Sequence, residues 1–264
     1  MQHFLEILDT RGKAKLYTVW MMVACLIYAI CYQLISQWMY SWNQTMLLYI
    51  GTYGLHLLAG AIPALMTIKI QKSQEEVCCQ NAKKMVVTYV LVQTILFMIM
   101  NVLGYASFTL ASSNEQGILA YAVNLLLVLV VLFYIPVQMF CLQQLRKTCS
   151  VIHMLGQSLK TIFHQYQPVF YSCLLLAIVF VGYRYLMQAV FQFQMNVALY
   201  DLPAELLIRY VPFLDVVSLG LLMLQNTALV LPFFFAFFFS IVQCGALVLF
   251  IYYIGCIQRK EDQE

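Results

Sequence analysis

The sequence predicts an all-α protein, a polytopic bundle of about six transmembrane helices with both termini cytoplasmic and amphipathic helices at the interface. Three observations carry this expectation. Of the 264 residues, 63% are hydrophobic and 9% charged; a soluble domain carries roughly a quarter charged residues and could not wet its surface with so few. Apolar runs of about 20 residues, long enough to cross a hydrocarbon layer of roughly 30 Å, follow one another along the chain. The basic residues fall in clusters that a six-span chain leaves on one face. A transmembrane barrel is excluded, because its strands would alternate polar and apolar side chains, whereas residues 125–133 are apolar throughout.

The first span is expected at 16–39. It follows a short basic segment as a signal peptide would, but it is too long and lacks a small-residue cleavage site. Trp20 marks its inner end, and Trp38, Tyr40 and Trp42 gather at its outer end, as interfacial aromatics do. The remaining spans are expected at 46–70, 85–111, 118–145, 168–193 and 227–257. Pro63, Pro136 and Pro232 would kink or break theirs.

Arg11, Lys13 and Lys15 precede the first span, and Lys69, Lys72, Lys83 and Lys84 separate the second from the third. Arg146, Lys147 and Lys160 separate the fourth from the fifth, and Arg259 and Lys260 follow the sixth. All of these land on one side of a six-span chain, with only Arg184 and Arg209 elsewhere, so that side is the cytoplasm. An odd number of spans would scatter them.

Between the spans, 150–164 reads as a surface helix: Ile152, Leu155, Leu159 and Ile162 recur at helical spacing, with His153, Gln157, Lys160 and His164 opposite. Residues 2–9 carry a shorter version of the pattern. Surface helix followed by span thus opens both halves, so the single integral membrane domain, 1–264, is compatible with a duplication into 1–145 and 146–264. The outer connection 194–226 mixes apolar residues with Asp201, Glu205, Arg209 and Asp215, and it reads as an interfacial or re-entrant helical pair.

Nine cysteines are scattered, mostly in apolar runs where cysteine acts as a small hydrophobe. Cys78 and Cys79 fall in an expected cytoplasmic loop, which argues against a disulfide. A net charge of +3 without a broad basic face argues against nucleic acid as a partner.

Polar positions inside the spans are the candidate sites. Arg184 is the one formal charge well inside a span; it can snorkel outward, pair with Asp201, Glu205 or Asp215, or face a substrate. His56 stands in a stretch with Gly51, Gly54, Gly60 and Ala64, where small residues let helices approach and a histidine bonds across to a neighbour. Asn101, Asn124 and Gln188, with Gln93, Gln138 and Gln243, offer interhelical hydrogen bonds or the lining of a polar cavity. His153, Lys160 and His164 are candidate interfacial contacts to phosphate headgroups, too widely spaced for one metal ion. No catalytic constellation, phosphate-binding glycine loop, metal site or cofactor motif stands out, and intramembrane aspartate is missing.

The order Pro136, Val137, Gln138, Met139, then Arg146 and Lys147, then the 150–164 helix leading through Pro168 into a span, resembles six-span bacterial inner-membrane proteins of the YciC type. It also resembles the membrane region fused to some glycerophosphodiester phosphodiesterases. The resemblance covers about a fifth of the chain, 130–180. It implies a helical bundle without chemistry of its own, acting in envelope or lipid-related processes of a bacterial cytoplasmic membrane. Two functions are expected: a non-enzymatic scaffold or accessory subunit engaging the lipid bilayer or another membrane subunit, and the permease subunit of a transporter driven by a cytoplasmic ATPase. In the second, coupling would fall on 71–81 or 150–164.

Overall fold

A computed structural model of the chain describes residues 11–41, 45–72, 82–112, 118–144, 151–191 and 211–261. Among them the only regular structure is helical. Four long helices come first: α1 (Arg11–Ser41), α2 (Thr45–Lys72), α3 (Ala82–Ser112) and α4 (Ile118–Gln144). A short α5 (Val151–His164), a long α6 (Tyr166–Phe191), a ten-residue α7 (Leu214–Met223), a 3-10 turn at Thr227–Leu229 and a long α8 (Val230–Glu261) complete the chain. The expected surface helix at 2–9, the Cys78–Cys79 pair, and Asp201, Glu205 and Arg209 lie outside the described residues.

Four segments are long and apolar enough to cross a bilayer, Lys15–Ser36, Ile50–Lys69, Val86–Ala106 and Thr227–Gly255, and a fifth is added if the bent pair Gly156–His164 and Tyr166–Phe180 counts as one. Their exteriors are as apolar as their interiors. Leu34 is 63% exposed, Leu65 66% and Leu175 66%, and only 22% of the Lys15–Ser36 window is buried. Water would penalise so much exposed hydrocarbon, whereas lipid does not.

α8 contacts α1, α2, α6 and α7, and α4 contacts α2, α3, α5 and α6. Fully buried Met21, Met100, Phe140, Met187, Ala236 and Ile254 form one continuous core through these contacts. Aromatic packing joins α6 to α8, with ring centroids of Tyr183 and Phe239 5.5 Å apart and those of Phe191 and Phe235 5.4 Å apart. Cys25, Cys141, Cys173 and Cys244 are buried, as expected of small hydrophobes.

Pro63 and Pro136 lie inside continuous helices. Pro232 departs from expectation: it is the third residue of α8, inside the first turn, where a missing N–H leaves no helical bond unmade. Pro168 is likewise the third residue of α6 and cannot donate to the carbonyl of His164. The ladder breaks there, and α5 and α6 stand 91° apart.

Along α5 the buried residues among those described are Ser158, Thr161 and Ile162, while Leu159 is 45% exposed and Phe163 75% exposed. Small hydroxyl residues let α5 approach α4 closely, and the Ser158 hydroxyl lies 3.4 Å from Cys141 Sγ. Burial therefore follows size as well as polarity.

α7 has ten residues, too few to span a bilayer, and packs against α1 and α8. Gln33 Nε2 donates to Ser218 Oγ at 3.0 Å, and the Phe213 N–H donates to Ser240 Oγ at 3.1 Å. Phe213 adopts the left-handed region, φ 73°, a strained conformation for a bulky residue. Its buried ring, 5.9 Å from that of Phe237, and its bond to Ser240 hold it there. The described part of the connection before α8 is thus a short apolar helix laid back against the bundle.

Candidate functional site

Among the described residues, the densest group of buried polar side chains lies where α2, α3 and α4 meet. Each helix presents an i, i+4 pair on the face toward the others: His56 and Gly60 on α2, Gln93 and Phe97 on α3, Tyr134 and Gln138 on α4. His56 and Gln93 are completely buried, Gln138 is 1% exposed and Tyr134 3%.

Gln93 is the node. Its backbone carbonyl lies 3.3 Å from His56 Nε2; because a carbonyl only accepts, Nε2 carries the proton and Nδ1 is left as an acceptor. Its side-chain oxygen accepts from the Tyr134 hydroxyl. One turn along α4, Gln138 Nε2 donates to the Gly60 carbonyl. That carbonyl adjoins a place where α2 has already lost a bond, because Pro63 has no N–H to offer Ala59. Flanking bonds tie the same helices together: Tyr53 and Thr94 share a hydroxyl bond of 2.6 Å, and Tyr89 donates to the Leu57 carbonyl. The imidazole packs between the rings of Phe97, 5.2 Å away, and Tyr134, 5.7 Å away.

Gly60 makes the convergence fit. A Cβ at this position would stand 2.5 Å from the Tyr134 hydroxyl oxygen and 2.8 Å from Gln93 Nε2. Three buried atoms in the group lack a hydrogen-bond partner: His56 Nδ1, Gln93 Nε2 and Gln138 Oε1. Two are acceptors and one is a donor.

The structure sorts the candidate residues unevenly. His56 joins the group as anticipated, and Gln93 and Gln138 supply its amides. Asn101 turns back onto its own helix, donating to the Phe97 carbonyl at 2.8 Å. Asn124 lies on α4, and Arg184 and Gln188 on α6, with side chains outside the described set. Asp215, in the first turn of α7, is half buried. His153, Lys160 and His164 are exposed on α5, and His153 Nε2 lies 2.8 Å from Gln157 Nε2. Tyr134 is the member that sequence reasoning missed. Among the described residues no group of three or more His, Cys, Asp or Glu is placed to hold a metal ion.

The fold defines a helical protein with four or five helices suited to crossing a membrane, tied together internally by neutral amides, hydroxyls and one histidine. No protein-family model, curated protein or solved structure matches the chain.

Proposed function

We propose that the chain is a non-enzymatic integral membrane module, a scaffold or accessory subunit crossing a bacterial cytoplasmic membrane six times with both termini inside. Counting α4 and α6 as spans rests on their lengths, 27 and 26 residues, or about 40 Å each at 1.5 Å per residue. The orientation rests on the shared side of the basic clusters. The observation that carries the functional reading is the convergence at Gly60, where hydrogen bonds from Tyr134 to Gln93 and from Gln138 to the Gly60 carbonyl tie α2, α3 and α4 together. α5 suits contact outside the bundle. It stands at 91° to α6 and offers His153, Lys160 and His164 to phosphate headgroups or to a partner.

A second reading, the permease subunit of an ATP-driven transporter, draws on the same α5, since a crosswise cytoplasmic helix could receive a separate ATPase. Affinity purification of the tagged full chain from native membranes in mild detergent separates the two. The scaffold reading expects membrane proteins or lipids as the associated species. Recovery of a nucleotide-hydrolysing subunit in fixed ratio would replace it with the permease reading.

A further inference from the structure

A lateral groove of about 560 Å³ opens between α1 and α2, within the roughly 300–1,000 Å³ of small-molecule sites. Its walls are apolar, with Ile27, Leu58, Ala61 and Leu65 among them. One end is different. There the Lys69 ammonium lies 3.5 Å above the centre of the Trp20 ring.

We propose that this groove holds one acyl chain of an anionic glycerophospholipid, with the lipid's phosphate on the Lys69 ammonium. Three observations favour that occupant. The first is length: along α1 the lining runs from Trp20 to Cys31, and along α2 from Leu58 to Lys69. Each wall is therefore about 16 Å at 1.5 Å per residue, near half of a hydrocarbon layer of roughly 30 Å. The groove fits one leaflet, the depth of a single lipid.

The second is charge. Neither α1 nor α2 contains an aspartate or glutamate, and Lys69 has no ion pair among the described residues. Arg11, Lys13 and Lys15 begin α1 and Lys72 ends α2, so five basic residues including Lys69 belong to the same end of this helix pair. The third is preorganisation. Stacking on Trp20 holds the lysine at the mouth while its remaining N–H groups stay free for phosphate oxygens, and an indole is itself suited to the headgroup level. The inference rests on the membrane setting of α1 and α2 and not on any protein partner, so it can fail while the scaffold reading stands, and the reverse.

The test uses the full chain in detergent, followed by thermal denaturation and native mass spectrometry. Phosphatidylglycerol should raise the Tm and remain bound about fivefold more tightly than phosphatidylcholine, the effect of one lysine at an anionic headgroup. Lys69→Gln should erase that preference, and Lys69→Arg should keep it. Ala61→Phe, which fills the groove wall, should lower the binding of both lipids. Equal binding of the two lipids by the wild type would overturn the proposal. So would an undiminished preference in Lys69→Gln, or an equal Tm rise from glycerol phosphate without acyl chains.

Discussion

Among the described glycines, Gly60 carries the tightest constraint. An added methyl would meet the Tyr134 hydroxyl and the Gln93 amide, and neither can swing away without giving up the bond that joins them. Gly60→Ala should therefore cost about 1–3 kcal/mol, as overpacking of a tight core does, measured as a fall in thermal stability in detergent. Ala61, the next residue, faces the groove, and its substitution should disturb lipid binding more than folding. Tyr134→Phe removes a hydroxyl and leaves the Gln93 oxygen unpaired; bonds of this kind within membranes average about 0.6 kcal/mol and reach about 1.7. A double-mutant cycle of Tyr134→Phe with Gln93→Leu should give coupling in that range, and none would mean that the bond does not contribute. The sequence pointed to His56, Gln93 and Gln138, because an imidazole or amide inside an apolar run needs a partner. Tyr134 gave no such signal. It is one of 18 tyrosines, and a phenol suits a core, an interface or lipid equally well.

At the scale of the helix, positions were legible and facings were not. The expected span 46–70 falls on α2 within a residue or two, and the expected 118–145 coincides with the helix α4, since length and hydropathy locate a long apolar helix. When lipid and core are both apolar, however, a helix such as α8 shows no polar side to orient it. α5 shows the same limit. Its apolar residues repeat at helical spacing, yet Ser158 and Thr161 pack inward beside Ile162, where contact with α4 favours small side chains. Ser158→Leu should accordingly destabilise the protein by about 1–3 kcal/mol. Phe163→Ser, at a position 75% exposed, should leave thermal stability in detergent nearly unchanged. Similar losses for the two would place the contact face elsewhere.

For the whole molecule, the division of basic from neutral segments was the most informative sequence feature, because it bears on direction as well as depth. Reporter fusions provide the check. A fluorescent protein that folds only in the cytoplasm should be bright when joined after residue 264, and a periplasm-active phosphatase should be active when inserted between α3 and α4. The opposite pattern would invert the orientation. The sequence read the connection before α8 as an interfacial or re-entrant helical pair, and its described part is α7, packed on α1 and α8. Its seat depends on Phe213 meeting Ser240, 27 positions away, a pairing that no local pattern encodes.

The bond between Gln138 and Gly60 spans 78 positions, and translation delivers those positions in order. At about 5–20 residues per second, roughly 4 to 16 s separate the synthesis of Gly60 from that of its partner amide. During that interval His56 and the weakened backbone before Pro63 face lipid or the insertion machinery without their later neighbours. Ribosome-bound chains halted before Tyr134 should thus remain against the translocon, and release should follow once α4 has emerged.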